Sequence, residues 1–392
     1  MTAEPGPFLP YGRQEILDAD VAAVVEALRE PFITQGPGVD RFERALAEVV
    51  GAKYAVALNS GTAALHAAYF AVGLGPGKAI LTTPITFAAT ANAALYLGAD
   101  VVFADVNEST GLLDPEPVAA AAGPNVAVLV PVHLGGQVAA MGDLSAAATD
   151  RGWVVIEDAA HAIGARYTAG DGREHRVGAC AHSALCCFSF HPVKHITTGE
   201  GGAVTTNDAG LYRRLLRFRT HGITRDPAEL LHPEGGWYYE QHDLGYNYRI
   251  TDFQCALGLA QLRRLPENVE RRRTIAARYD RALGGVPGVR PLAIPRWSRG
   301  SYHLYVVRVA AGARREVFDA LRAGGLGVNV HYVPVYRHPY YRARGFEGLR
   351  LPNAEAYYAE AITLPMYPAL SDADVDRVVA TLRRAVAEAG AA

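Results

Sequence analysis

The chain has 392 residues, half of them apolar and a fifth charged, with a formal net charge of −2. This is the composition of a folded globular protein of about two to three domains, and with no basic tract or acidic tail it does not mark nucleic acid or an anionic membrane as a partner. No uncharged apolar run reaches about 18 residues, so no transmembrane helix is expected; Met1–Gly12 lacks a signal-peptide pattern, and Cys180, Cys186, Cys187 and Cys255, without CxxC spacing, read as thiols of a reducing cytoplasm rather than a metal set.

Met1–Pro10 reads as a loosely held lead-in. Ile16, Leu17, Val21, Val24, Val25 and Leu28 recur at helical spacing over Glu15–Glu30. After the loop Phe32–Gly38, Val39–Val50 predicts a second amphipathic helix with Gly51 as its C-cap. Tyr54–Asn59 predicts a strand, Ser60-Gly61-Thr62 breaks it, and Ala63–Val72 predicts an alanine-rich helix. A strand, a small-residue turn and a helix start bring free backbone N–H groups, the helix dipole and the Thr62 hydroxyl to one point, which suits an anion. An ordinary N-cap by Ser60 or Thr62 accounts for the same residues.

Strands follow at Ala79–Thr82, Val101–Ala104, Val126–Val132 and Trp153–Asp158, with helices at Phe87–Leu97 and Leu144–Asp150 between them. Repeated strand-then-helix units imply an α/β fold with a mainly parallel sheet covered on both faces. In such sheets ligands sit outside the carboxyl ends of the strands. Thr62, Phe87, Asp158 and Ser189 all fall just after strand ends and can share one crevice.

The strand-like run Ser183–Phe190 leads into Lys194, a turn of Thr and Gly, and a short apolar run, Ala203–Thr206. A lysine just past a buried strand either snorkels to solvent or is an amine of lowered pKa, poised to form a Schiff base with a carbonyl cofactor. Leu211–Arg219 predicts an arginine-rich helix facing solvent or phosphate, and Asp226–His242 a loop. A helix begins within Asn247–Gln254, where Thr251 and Gln254 have capping-box spacing. It runs to about Leu265, and Pro266 breaks it before a helix over Asn268–Leu283. Beyond Gly284, strands at His303–Val309 and Gly327–Tyr332 and helices at Arg315–Ala323, Tyr357–Ile362 and Ala373–Ala387 suggest a smaller α+β unit. The expected division is a large cofactor-binding unit over 1–265, its first 30 residues an arm and helix, and a small unit over 266–392.

Asp158 ends a strand and His161 follows three residues on. Such an aspartate caps a turn, or it holds a protonated ring nitrogen. Pyridoxal 5′-phosphate needs that carboxylate, because its pyridinium is the electron sink of transamination. It also needs an anion cradle (Gly61, Thr62, Ser189), a flat group on its ring face (Phe87) and an amine (Lys194). Each signal is modest; their order along the chain is what is specific.

On Thr34-Gln35-Gly36-Pro37, Asn59-Ser60-Gly61-Thr62-Ala63-Ala64, Pro84 through Asn92, Glu157-Asp158-Ala159-Ala160-His161-Ala162, Ser189 through Lys194, Glu200-Gly201-Gly202 and Gly245-Tyr246-Asn247-Tyr248-Arg249, the chain resembles the DegT/StrS family of sugar aminotransferases over nearly its whole length. The resemblance implies a PLP-dependent transferase of fold type I (aspartate aminotransferase-like), with a mainly parallel sheet in the large domain and a smaller α+β C-terminal domain. It implies Lys194 as the Schiff-base and proton-carrying residue, Asp158 at the ring nitrogen, His161 near the ring hydroxyl, and Ser189, Gly61 and Thr62 at the phosphate. Asn247 would reach the phosphate of a neighbouring subunit, which implies a homodimer with composite sites. Some family members carry histidine in place of the lysine and remove a sugar hydroxyl; the intact Lys194 favours simple transamination.

Leu9–Gly12, Lys194–Gly202 and Gly327–Tyr336 are similar to the branch of the family that serves pseudaminic acid biosynthesis. That likeness implies L-glutamate as donor, C4 of a UDP-linked 4-keto-6-deoxy-N-acetylhexosamine as acceptor, and Tyr11, Phe32, Ile33, Thr34, His331 and Tyr332 as sugar-nucleotide contacts. Core packing is the alternative for His331 and Tyr332. His191 and His195 read as turn residues without chemistry. The rival functions are another nucleotide-sugar 4-aminotransferase (perosamine, legionaminic precursor or 4-amino-arabinose type) and a non-catalytic regulator on the same fold.

Overall fold

The computed structural model describes residues 7–390, so the expected lead-in lies outside the described residues up to Gly6. Seven strands form the central sheet: β1 (Tyr54–Leu58), β2 (Ala79–Thr82), β3 (Asp100–Phe103), β4 (Val126–Val130), β5 (Val154–Asp158), β6 (Leu185–Ser189) and β7 (Gly202–Thr206). Their order is β1-β7-β6-β5-β4-β2-β3. β7 runs antiparallel to both β1 and β6, and the other pairings are parallel.

Side-chain alternation along each strand feeds two hydrophobic layers. Ala55 and Ala57 pack with Phe42 and Leu46 of the helix Pro37–Val50 and with Cys255 and Leu262. Val56 and Leu58 pack with Ala64, Ala67 and Ala68 of the helix Gly61–Ala71 and with Ala91 and Ala94 of the helix Ala89–Leu95. Both faces are covered, which is why the strands read as continuous apolar runs. The parallel strands send their carboxyl ends to one edge. There β1 turns into the helix Gly61–Ala71, β2 leads to Phe87, β5 ends at Asp158, and β6 ends at Ser189. The connection from β6 back to β7 carries Lys194, and the amide of Phe190 closes it by donating to Gly201 O at 2.8 Å.

Several boundaries follow the expected chemistry. Gly51 ends the helix Pro37–Val50 at φ +82°, a left-handed C-cap. Thr251 and Gln254 form the capping box of the helix Asp252–Arg263. Other expectations are corrected. The expected break between two helices falls at Arg264, two residues early: one helix ends at Arg263 and Pro266 lies in the first turn of the next, Leu265–Leu283, where no intrahelical N–H is required. The expected helix Tyr357–Ile362 is Pro352–Glu360, and Ala361–Leu364 is a buried strand paired with Tyr305–Arg308. The expected strand Gly327–Tyr332 is only Leu326–Gly327, paired with Leu9–Pro10; beyond it a single bridge joins Asn329 to Thr363, where His331 Nδ1 lies 2.8 Å from Thr363 Oγ1. The arginine-rich helix Ala209–Arg219 is no phosphate face. Arg217 pairs with Asp243 and Glu229, and Arg219 with the buried Glu43.

Towards the C-terminus, Val289–Pro291, Tyr305–Val309 and Ala361–Leu364 form an antiparallel sheet. Its cluster joins Val307 and Ile362 to Leu321, Leu382 and, from the start of the chain, Leu9. The helix Leu265–Leu283 spans two clusters: Leu265 and Val269 pack beneath the central sheet, Ile275 and Tyr279 with the C-terminal one. No helix among the described residues is long and apolar enough to cross a membrane.

Candidate active site

A cavity of about 730 Å³ opens at the carboxyl edge of the sheet. It brings together Gly61, Thr62, Phe87, Asp158, His161, Ser189 and Lys194 from the large sheet with Tyr11, His331 and Tyr332 from the segments beside the C-terminal sheet.

One end is an anion cradle. Ser60 caps its helix, its Oγ accepting from the amide of Ala63 at 3.0 Å. The amides of Gly61 and Thr62 precede the first intrahelical bond and have no acceptor within the helix. Ser189 at the end of β6 stands against Gly61, where a Cβ would lie 2.9 Å from Ser189 Cβ and 3.1 Å from its Oγ. Any residue but glycine at 61 would push the serine out of the cradle. Two of the readings of the Ser60–Thr62 turn therefore hold together: Ser60 is an ordinary N-cap, and the next two residues remain open to an anion.

The middle of the cavity is set by Asp158. Its carboxylate is buried, and each oxygen has a donor: Thr90 Oγ donates to Oδ2 at 2.7 Å and the amide of Ala160 to Oδ1 at 3.1 Å. Thr86 lies behind, its hydroxyl 2.7 Å from that of Thr90. These donors keep the carboxylate an acceptor with lone pairs left for a cation or a protonated ring nitrogen. Phe87, 63% exposed, presents its ring to the open cavity and is free to cover a planar ligand.

His161 is fixed as a neutral ring. Its Nδ1 accepts from the amide of Gly135 at 3.3 Å, which assigns the proton to Nε2 and directs it to the Tyr332 hydroxyl 3.1 Å away. Burial, helped by the nearby Lys194, His331 and His195, holds its pKa well below the usual histidine range. The phenol of Tyr332, raised by its own burial, keeps its proton and can offer it onward. His331 packs against the Tyr11 ring at 5.1 Å, and burial lowers it to about 3. Tyr11 is placed there because the segment before it lies beside Leu326–Gly327 and its own carbonyl accepts from the amide of Met366 at 2.9 Å.

Lys194 faces Asp158 across the cavity. Burial lowers its amine to about 8, while the charge of Asp158 pulls the other way. Its Nζ lies 3.4 Å from Nε2 of His303. Neither His303 nor Thr90 was expected from the sequence. Thr90 sits inside the Pro84–Asn92 motif, and its place one turn after Phe87 was a usable signal. His303 lies 109 residues beyond Lys194, two residues before the strand Tyr305–Val309 and not inside it as expected, and carries no local mark. His195 lies in the bend after Lys194, as expected, but is buried there, its Nε2 donating to Ser301 O at 3.0 Å. His191 lines the cavity wall.

Four expected contacts are not brought into this chain's cavity. Phe32 and Ile33 are exposed, 61% and 47%, Thr34 bridges to Thr251, and Asn247 bridges to Thr220 with its carbonyl accepting from Asn59. The residues that are brought together fit pyridoxal 5′-phosphate: an open helix start against a close-packed serine, a donor-held carboxylate, an exposed ring and a lysine of lowered pKa, all on one cavity.

The family model described as the DegT/DnrJ/EryC1/StrS aminotransferase family matches residues 14–383. Among named proteins, the chain is 40% identical to the spore coat polysaccharide biosynthesis protein SpsC of Bacillus subtilis, over 96% of each chain. It is 37% identical to the UDP-4-amino-4,6-dideoxy-N-acetyl-beta-L-altrosamine transaminase of Campylobacter jejuni, again over 96% of each. Among solved structures, Helicobacter pylori PseC, an aminotransferase involved in the biosynthesis of pseudoaminic acid, superposes with a TM-score of 0.90 at 29% identity, covering 97% of this chain and all of that one. The PLP-form of Spr1654 from Streptococcus pneumoniae, described as a sugar aminotransferase, gives 0.89 at 29% identity, over 97% and 99% of the two chains.

Proposed function

Since the chain belongs to the DegT/DnrJ/EryC1/StrS aminotransferase family, we propose that it transfers the amino group of L-glutamate to C4 of a UDP-linked 4-keto-6-deoxy-N-acetylhexosamine, the step that serves pseudaminic acid biosynthesis. The observation that carries the reading is Lys194 facing Asp158 across a cavity whose floor is an open helix start. The cofactor is pyridoxal 5′-phosphate, which when bound delocalises the charge left by removal of a substrate proton. Gly61, Thr62 and Ser189 would hold its phosphate, Asp158 its ring nitrogen, Phe87 one ring face, and His161 the side of the ring hydroxyl.

The chain's own groups then have defined tasks. Lys194, with an amine near 8, can give up and take back a proton close to neutral pH, which is what a general base and acid requires. Thr90 keeps Asp158 oriented and unable to rotate away. Tyr332, supplied with a hydrogen bond by His161, can donate to an oxygen of the substrate. Tyr11 and His331 would form the wall met by the sugar. Glutamate enters, leaves as 2-oxoglutarate, and the keto sugar then receives the amine.

Among the described residues the cavity lining contains no arginine, and Lys194 is its one lysine. Carboxylates of glutamate and a diphosphate need further cations. We therefore read the enzyme as a cytoplasmic homodimer in which a second copy completes the site, with Asn247 and the Phe32–Thr34 loop reaching across. The exposed apolar residues Val21, Val25, Leu28, Phe32, Ile33 and Leu244 support a covered face.

The test is a panel of UDP-, GDP- and dTDP-linked 4-keto sugars with L-glutamate, read as 2-oxoglutarate release and as the mass of the amino sugar. The UDP-linked 4-keto-6-deoxy-N-acetylhexosamine is expected to react fastest. Faster reaction of a GDP- or dTDP-linked sugar would replace the substrate, and no 2-oxoglutarate with any of them would point to the non-catalytic reading.

A further inference from the structure

We propose that His303 is the positioning residue of Lys194: its Nε2 accepts a hydrogen from the lysine ammonium and fixes the direction of the amine in the cavity. The proposal rests on the reading of Lys194 as the proton-carrying amine.

Lys194, His161, His195, His303 and Arg272 cluster at the wall of the cavity. The His303 ring lies 4.4 Å from that of His161 and 5.7 Å from that of His195. Three of these groups are already committed. His161 uses both nitrogens, on Gly135 and Tyr332. His195 spends its Nε2 proton on Ser301 O. Arg272, fully buried, points its Nη1 at the carbonyls of Tyr302, His303 and Met366 at 3.2, 3.4 and 3.0 Å. That clamp holds the backbone of His303 in place and leaves its ring unengaged. His303 is 4% exposed and its Nδ1 has no partner. Its one polar side-chain contact is the Lys194 amine, and His303 is the amine's one hydrogen-bond partner among the described residues.

The chemistry of the pair fixes the roles. An ammonium has three donors and no acceptor. A histidine beside it must present a lone pair, so the proton of His303 sits on Nδ1 and Nε2 faces Nζ. Burial first, and then the positive charges of Lys194 and Arg272, keep the ring neutral and able to accept. Asp158 and His331 also interact electrostatically with the amine. A neutral acceptor favours the charged amine and works against burial. When Lys194 has taken a proton, His303 holds the ammonium in place for its return.

The experiment uses the full chain without cofactor and without any sugar. Lys194 acetylation by acetic anhydride is measured across pH by mass spectrometry of its peptide. The wild-type midpoint should lie near 8. His303→Leu removes the acceptor, and the midpoint should fall by about one pH unit, the size of a hydrogen bond to a charged group. His303→Gln, which keeps an acceptor at similar reach, should return it most of the way. An unmoved or raised midpoint in a His303→Leu protein with an unchanged melting curve overturns the proposal. Should that variant fail to fold, His303→Asn, polar but too short to reach Nζ, must lower the midpoint; a wild-type value overturns it equally. A failed sugar panel leaves this titration unaffected, and a failed titration leaves the amino transfer standing.

Discussion

Glu157 and Asp158 are neighbours on β5 and point to opposite faces of the sheet. Both are buried acids beside a histidine, yet they do different things. Glu157 Oε2 lies 2.8 Å from Nε2 of His133, and Oε1 accepts from the Ser183 hydroxyl; His133 and Glu157 are 0% and 1% exposed. Both carboxylate oxygens of Glu157 meet a protein donor. Asp158 faces the other way, onto the cavity lined by Lys194, Phe87 and His161, and its donors Thr90 and Ala160 leave lone pairs open. A buried acid next to a histidine is therefore no mark of a catalytic site. What separates the two is whether the partners satisfy the carboxylate or only aim it.

Four variants sharpen or break this contrast. On the cavity side, Lys194→Ala should lower amino transfer by roughly 10⁴-fold, the upper range for a general acid-base group, with the fold intact. Retained activity in steady-state assays would end the assignment. On the closed side, His133→Leu strands the Glu157 carboxylate in the core and should cost about 3–5 kcal/mol in urea unfolding while the cavity keeps its chemistry. Asp158→Asn, nearly isosteric, should lose activity by roughly 10²–10³-fold with little change in stability; if instead stability falls and specific activity holds, the two acids have been assigned the wrong way round. Thr90→Val leaves Asp158 with one donor fewer and should cost about tenfold in kcat/KM.

The cofactor-free protein offers a pH test of the same side. The Lys194 amine is lowered from 10.5 to about 8 in the folded chain, so the folded state binds fewer protons than the unfolded one between these values. Stability should thus rise as pH increases through that window, and the cost of the buried ammonium is fully present below about 8. Lys194→Met removes the term and should stabilise the cofactor-free chain by roughly 3 kcal/mol at pH 7, with a flatter stability profile towards pH 10. Parallel profiles for the two proteins would show that the amine is solvated.

Much of this arrangement was legible without coordinates, where local chemistry decides it. Ser60 caps its helix and Gly51 ends another because those residue types make those turns almost independently of context. The strands of the sheet follow from short apolar runs between turn residues, and in a parallel sheet their carboxyl ends must meet. Thr62, Phe87, Asp158 and Ser189 therefore fell into one crevice in advance. Misreadings came where pairing overrode local pattern. Ala361–Leu364 continues a helical run in sequence but is drawn into a sheet by Tyr305–Arg308, and Gly327–Tyr332 looks like a strand but finds a partner over two residues only.

The chain by itself indicated the class of fold and the order of the groups proposed to hold the cofactor, the lysine among them, because each was read from a short run whose pattern is local. Tertiary structure alone decided how those groups are held. Thr90 meets Asp158 across 68 residues, His303 meets Lys194 across 109, and Tyr332 meets His161 across 171. The role of a histidine depends on which neighbour takes its proton and how deeply water is excluded. No spacing in a sequence encodes either. His195, beside the lysine in sequence, is spent on a carbonyl, while His303, far from it, stands against the amine.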